Sequence, residues 1–235
     1  IGSLKNSRMI NIQKTKFLYI FLKKVKYRLM SVQFKTNKDN IMQTASTTFM
    51  NRHPDIFNFL QERYGEKHVR IVSFGCSTGE ECFSIRKYLP NADIIGVDIN
   101  PNSIKTALKN PLKDSKMEFK NLNPSELIEL DKCDIILALS VLCKNPEAQE
   151  INDITTIYPF DRYNSIITQL DGILKGDGLM IIRSSNFRFR DTSIFSNYKV
   201  ISYEKQRASK DFPKFDSNNK RIQDFLETEE FFQKK

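Results

Sequence analysis

The stretch GCSTG, residues 75 to 79, sets a serine between two glycines, and that spacing serves two chemistries. As G-x-S-x-G it fits the sharp turn that exposes a serine nucleophile at the top of an α/β sheet. As a glycine loop between a strand and a helix, it lets backbone approach a nucleotide-like ligand with helix N–H groups facing it. A hydrolase of that kind needs an acid and then a histidine after the serine. The only histidines, His53 and His68, both precede Ser77. The run 69–74 also reads as the first strand of a sheet, where a nucleophile turn would have several before it.

The ligand-loop reading asks for a strand before the glycines, a helix after them, and an acid ending the next strand about twenty residues on. All three are present: 69–74 is apolar, 80–89 is amphipathic, and IIGVD closes on Asp98. Gly75 and Gly79 keep side chains out of the way, and Asp98 stands where a carboxylate grips ribose hydroxyls. The middle glycine of G-x-G-x-x-G is absent, a spacing that suits S-adenosylmethionine better than NAD.

The elements that must position this loop follow from the periodicity. Strands are expected over 69–74, 93–98, 117–119, 133–139 and 179–183, and helices over 80–89, 101–109 and about 162–174, with a turn at 176–178. Strand and helix alternate, which argues for a parallel, doubly wound α/β sheet with ligands beyond the carboxyl ends of its strands. The tail from 198 to 203 onward supplies one or two edge strands. Upstream, 54–64 reads as a helix stopped near Gly65. The stretch 14–30 reads as a basic helix with Phe17, Ile20, Phe21, Val25 and Leu29 on one face, docked on the domain or serving as a membrane-surface or nucleic-acid arm. The expected division is an N-terminal helical region, 4–66, and a Rossmann-like domain, 67–235.

Composition sets the class. The chain has 235 residues, 40% hydrophobic, with net charge +9, enough for one sizeable core. No apolar run approaches the roughly 18 residues of a membrane span. Cys76, Cys82, Cys133 and Cys143 form no C-x-x-C pair and have no histidine at ligand spacing, so neither a metal site nor a disulfide framework is expected, and a cytoplasmic setting fits. The charge favours an anionic partner; nucleic acid satisfies it too, but no recognisable RNA-binding motif accompanies it.

CSTGEECFSI, residues 76 to 85, resembles the C-S-T-G-E-E-x-x-S-I signature of the CheR family, S-adenosylmethionine-dependent methyltransferases that esterify glutamates on chemotaxis receptors. VDINPNSIKTA is similar to that family's D-I-(D/N) strand end and helix, LKGDGLMIIRSSNF to its L-x-P-G-G-x-L-x-x-G-x-S-E segment, and TFMNR with Phe57 to its T-x-F-F-R element. The likeness runs from about residue 44 to 190. It implies a class I methyltransferase: a doubly wound Rossmann-like sheet, mostly parallel, with an N-terminal helical extension. It implies cofactor contacts from Thr48, Arg52, Glu81 and Asp98, together with the loop residues Gly75, Cys76, Ser77 and Gly79 and with Ile99. Asn121 and Leu122 match a pair near the adenine, and Ala138 and Leu139 match positions lining the cofactor at the end of the fourth strand.

Three departures bear on the acceptor. The family's R-N pair and I-Y-F segment give way to Leu139-Ser140 and Leu142-Cys143-Lys144; the receptor-docking β subdomain has no room between residues 110 and 117; and G-x-S-E reads Arg183-Ser184-Ser185-Asn186. Replacement acceptor groups are expected from Tyr158, Arg162 and Tyr163 in one loop and from Phe187 and Arg188 in another. Methyl transfer from a sulfonium is an in-line displacement that rests on positioning. An ionised carboxylate, of a protein or small molecule, would need no base and would be drawn by Arg52, Lys144 and Arg188. Asp161, Lys144 and Tyr158 are the catalytic candidates. RNA methylation is the rival within the class, and a non-catalytic descendant that binds cofactor or partner is the rival outside it.

Overall fold

The computed structural model describes Leu22, Val25, Leu29, Val32, Ile41 and residues 47–235 apart from 207–211, 224, 226 and 227. Seven strands form one sheet: β1 Arg70–Phe74, β2 Asp93–Asp98, β3 Met117–Asn121, β4 Cys133–Leu139, β5 Leu174–Arg183, β6 Tyr198–Ile201 and β7 Phe231–Lys234. Their order is β3-β2-β1-β4-β5-β7-β6. The first five run parallel, and β7 is antiparallel to both of its neighbours. The order reverses between β1 and β4, the place where open sheets of this kind leave a crevice for a ligand.

Helices α1 Pro54–Tyr64, α2 Glu80–Tyr88, α3 Pro101–Lys109 and α4 Phe160–Ile173 cover the sheet. Because both faces are covered, the central strands are apolar nearly throughout, and adjacent residues serve opposite cores. Ile71, Ile94 and Ile135 pack with α1, α2 and α3, while Val72, Ile95 and Ile136 pack with α4. At α3, Pro101 opens the helix and the Asn100 side chain accepts the Asn102 N–H at 3.0 Å, a polar cap that fixes where β2 hands over to the helix.

Several expected boundaries move. Helix α4 begins at Phe160 and β5 at Leu174, so the Gly176–Gly178 segment lies within the strand as an irregularity: Cys133 pairs with Leu174, but Ile135 with Leu179. Asp177, at φ 59°, makes the local bend. β3 continues to Asn121, and a 3-10 turn, Pro124–Glu129, follows it. Only residues 110–116 join α3 to β3. Most of the basic stretch 14–30 lies outside the described residues. Within it, Val25 and Leu29, on the face that a docked helix would bury, are 38% and 66% exposed, so these two side chains are not buried against the domain.

A buried ionic clip joins α1 to the far half of the sheet. Arg183, the last residue of β5, donates to Asp55 at 2.9 and 2.6 Å and to Glu230 at 2.9, 2.9 and 2.5 Å, with His53 Nδ1 at 3.5 Å. A charged residue closing the apolar run LMIIR was the visible trace of it.

Candidate cofactor site

The carboxyl ends of the strands carry the strained backbone. Ser77, Ser140 and Ser184, just after β1, β4 and β5, have φ of 50°, 59° and 56°, left-handed conformations that non-glycine residues rarely adopt. Gly75 and Gly79 have φ of 80° and 95°. A Cβ on Gly75 would stand 2.4 Å from a methyl of Val141, and one on Gly79 would stand 2.9 Å from the Phe83 ring. The loop after β1 thus closes against the residue following β4, at the point where the strand order reverses.

Asp98 holds the loop from the side. Its Oδ2 accepts the Ser77 N–H and its Oδ1 the Asn100 N–H, both at 2.8 Å. Burial raises its pKa, and these two backbone donors work in the opposite direction. A carboxylate offers about four lone-pair sites, so the two used leave others for a ligand's hydroxyls. Gly75 and Cys76 donate to Val97 O at 2.8 and 3.0 Å, and the Asn121 amide donates to Asp98 O at 2.9 Å, drawing the end of β3 to that of β2. Leu122 and Ile99 are partly buried beside them. Ser77 Oγ is buried with no hydrogen-bond partner, an orphan that an incoming polar group would satisfy. Cys76 is buried, its thiol pKa pushed well up by desolvation; its sulfur stands 2.9 Å from where a Cβ on Gly96 would sit, so it helps shape the loop's floor.

Glu81, in the first turn of α2, accepts the Ser73 hydroxyl at 2.7 Å. Burial pushes it up to about 7, with Ser73 and the Arg52 charge pulling the other way. Arg52 donates to Thr47 O at 2.8 Å and lies 5.9 Å from the Phe49 ring centre. Asn51 N–H donates to Ser84 at 2.8 Å, and the Tyr88 hydroxyl donates to Asn51 at 3.0 Å. The segment from Thr47 to Arg52, with partly buried Thr48 inside it, is thereby fastened to α2 beside Glu81. Ser73 was not foreseen, although a serine inside the apolar run RIVSF was its signal.

The structure brings the loop, Asp98, Asn121, Glu81 and Arg52 to one edge of the sheet. It treats the other expected residues differently. Ala138 and Leu139 are buried in the cores on opposite faces of β4; Ser140 and Val141 are what follow the strand toward Gly75. The acceptor-side expectations need correction. Phe187 is fully buried at the centre of an aromatic cluster, 5.4 to 6.4 Å from the rings of Tyr158, Phe160, Tyr163 and Phe215. Tyr158 and Tyr163 are equally buried, so these three form core and line no open surface. Burial raises the Tyr158 pKa well above the usual phenol value, which removes it as a base at neutral pH. Arg162 stacks at 5.6 Å over Tyr158. Arg188 is paired with Asp191 at 2.7 and 2.8 Å. Lys144 is buried, donating to Ile41 O at 2.6 Å. Asp161 is exposed in the first turn of α4. Aromatic and charged residues clustered beyond a strand resemble a functional loop, but here apolar contact among the rings, covered by the excursion between β6 and β7, draws the aromatic members into the core.

The family model of a methyltransferase domain matches residues 65–231. The chain belongs to this family. No curated protein matches it. Among solved structures, magnesium protoporphyrin IX methyltransferase from Synechocystis PCC 6803, with bound S-adenosylmethionine, shares 13% identity at a TM-score of 0.48, covering 77% of each chain. The plantazolicin methyltransferase in complex with S-adenosylhomocysteine shares 18% identity at a TM-score of 0.41, covering 68% of this chain and 50% of its own. A third, a "putative s-adenosyl-l-methionine-dependent methyltransferase" from Methanococcus maripaludis, shares 15% identity at a TM-score of 0.39, covering 55% of this chain and 54% of its own. The chain spans about half the length of the plantazolicin and Methanococcus structures. The match of the family model, together with the strand order, places the chain in the Rossmann-like methyltransferase fold; the likeness to the chemotaxis-receptor enzymes in particular goes no further than their sequence signature.

Proposed function

We propose that the protein is an S-adenosylmethionine-dependent methyltransferase whose cofactor lies across the carboxyl ends of β1, β2 and β4. The observation that carries the reading is the Asp98 carboxylate, fixed by two backbone donors beside a glycine loop with an unsatisfied buried serine hydroxyl. The free lone pairs of Asp98 suit the two ribose hydroxyls, and Ser77 Oγ gains a partner when a polar ligand enters. Asn121, Ile99 and Leu122 flank the place an adenine would take. Glu81 and Arg52, of opposite charge and near one another, suit the ammonium and carboxylate of an amino-acid moiety.

The bound cofactor supplies an electrophilic methyl on a sulfonium with a good leaving group in place. The chain then has to hold the acceptor in line and exclude water. Tyr158 and Lys144 are buried and engaged in the fold, so an acceptor already ionised, such as a carboxylate, remains the best-suited class. Lys144 and Arg188 are occupied within the protein and Arg52 is kept for the cofactor's carboxylate, so this preference rests on the acceptor's needing no base rather than on a dedicated cation. Glutamate esterification on a receptor, in the CheR manner, is not carried over, because the docking subdomain and the family's acceptor arginine and tyrosine are absent.

Calorimetric titration with S-adenosylhomocysteine tests the reading. Micromolar or tighter binding that weakens about 10- to 100-fold in Asp98→Ala is expected, the scale of losing charge-assisted hydrogen bonds. Tighter binding of NAD, or no binding by folded protein, would sink it. Binding without methyl transfer to any fraction of a cell extract would favour the non-catalytic descendant.

A further inference from the structure

The positive charge of this molecule is not spread over it. Residues 1–40 contain ten lysines and arginines and one acid, Asp39, leaving 27 of the 37 basic residues and 27 of the 28 acidic ones to the remainder of the chain. The whole excess of +9 therefore belongs to the first forty residues, and residues 41–235 are neutral in sum. A charge so segregated is a separate device from the cofactor site.

The same segment carries exposed apolar side chains. Leu22, Val25, Leu29 and Val32 are helical and 56%, 38%, 66% and 74% exposed. Their spacing of three, four and three places them on one helical stripe, and Leu18 extends the same spacing backward in the sequence. Lys23, Lys24, Lys26 and Arg28 fall at the intervening positions. An aliphatic stripe interleaved in sequence with cations matches a surface that is apolar beneath and anionic on top. With Lys23, Lys24, Lys26 and Arg28 inside the stretch, no apolar run there approaches the roughly 18 residues of a span, so the fit is to lying on a bilayer rather than spanning it.

We propose that the basic N-terminal segment is a membrane-surface anchor that sets Leu22, Val25, Leu29 and Val32 into the headgroup boundary of an anionic phospholipid bilayer. Charge selects this occupant over the others. Two copies meeting along the stripe would bring +9 against +9. The neutral remainder of the chain offers no net opposite charge and leaves these side chains exposed. Nucleic acid would engage the lysines and leave the four aliphatic side chains in water. Either attraction alone gives weak, reversible attachment, whereas an apolar and a basic signal together make it stable.

Flotation of the full chain with phosphatidylcholine vesicles, with and without 30% phosphatidylglycerol as a probe, tests the proposal. Partition should be at least about tenfold higher on the anionic vesicles and should fall as salt rises from about 0.1 to 0.5 M. The variants L22D/L29D and K23Q/K24Q/K26Q should each lose it, with the melting temperature of the free protein unchanged. Absence of partition would overturn the anchor, as would a leucine variant that partitions like the parent. A leucine variant with lowered melting temperature or altered oligomeric state would assign the stripe to the protein's own domain or to a second copy. Tighter binding to a single-stranded oligonucleotide, insensitive to L22D/L29D, would make the segment a nucleic-acid arm. None of these readouts depends on cofactor binding or turnover, so the proposal and the methyltransferase assignment fail separately.

Discussion

At the scale of single residues, Glu81 makes the sharpest forecast. With its carboxyl pushed up to about 7 by burial, it is half protonated in the free protein near neutrality. A ligand ammonium favours the ionised form, so affinity for S-adenosylhomocysteine should fall as pH drops below about 7, by up to about tenfold per unit, and level off above it. Titrations at pH 6, 7 and 8 check this, and Glu81→Gln should flatten the profile. The linked effect on the free protein has the opposite sense. A raised carboxyl contributes stability that is present below the ordinary glutamate range and lost as pH rises through about 7. Gly75 makes a second forecast: with φ at 80° and Val141 2.4 Å from a would-be Cβ, Gly75→Ala should cost about 1–3 kcal/mol in denaturant unfolding. Val141→Ala should relieve the contact but not the dihedral. In the aromatic cluster, Tyr158→Phe removes a buried hydroxyl with no partner and should leave stability unchanged or raise it by up to about 1 kcal/mol. Phe187→Ala, at the cluster's centre, should cost about 3–5 kcal/mol.

At the scale of elements, the fold depends on how α1 is held. Its apolar face, with Ile56, Phe57, Phe59 and Leu60 buried, packs on the sheet, and Asp55 locks its first turn to β5 and to the residue preceding β7 through Arg183. Removing the shared cation of this buried cluster would strand the carboxylates of Asp55 and Glu230 without compensation. Arg183→Ala should therefore lower the unfolding free energy by about 3–5 kcal/mol, measured by denaturant titration, and Asp55→Ala, which leaves Arg183 paired with Glu230, by less; a surface pair such as Lys205 with Glu62 should be worth far less when broken. The segment between β6 and β7 works similarly on the other side. Phe215 packs on Phe187, and the Asn186 side chain donates to Pro213 O at 3.0 Å while accepting the Lys144 N–H at 2.6 Å. That excursion is what turns the expected acceptor loops into core.

For the whole molecule, a ligand that binds only the folded state stabilises it by mass action. S-adenosylhomocysteine at a hundredfold its Kd should add about 2.7 kcal/mol to the unfolding free energy, read as a concentration-dependent rise in melting temperature that Asp98→Ala, binding about 10- to 100-fold more weakly, cuts to about 0.4–1.4 kcal/mol at the same concentration. The alternating apolar runs, the glycine loop and Asp98 were legible in the sequence because each is local: a strand buried on both faces must be apolar, a crowded strand-to-helix turn needs glycine, and the acid closes the next strand. With the family signature they determined the sheet and the class of cofactor, and they point to the sheet edge proposed for the site. What lies between distant segments was not legible. That Arg183 finds Asp55 and Glu230, that Ser73 meets Glu81, that Val141 abuts Gly75, and that Tyr158, Tyr163 and Phe187 turn inward depend on pairings 8 to 128 residues apart. Local pattern is blind to them, because a side chain's environment comes from whatever the fold packs against it, and only the tertiary structure decides that.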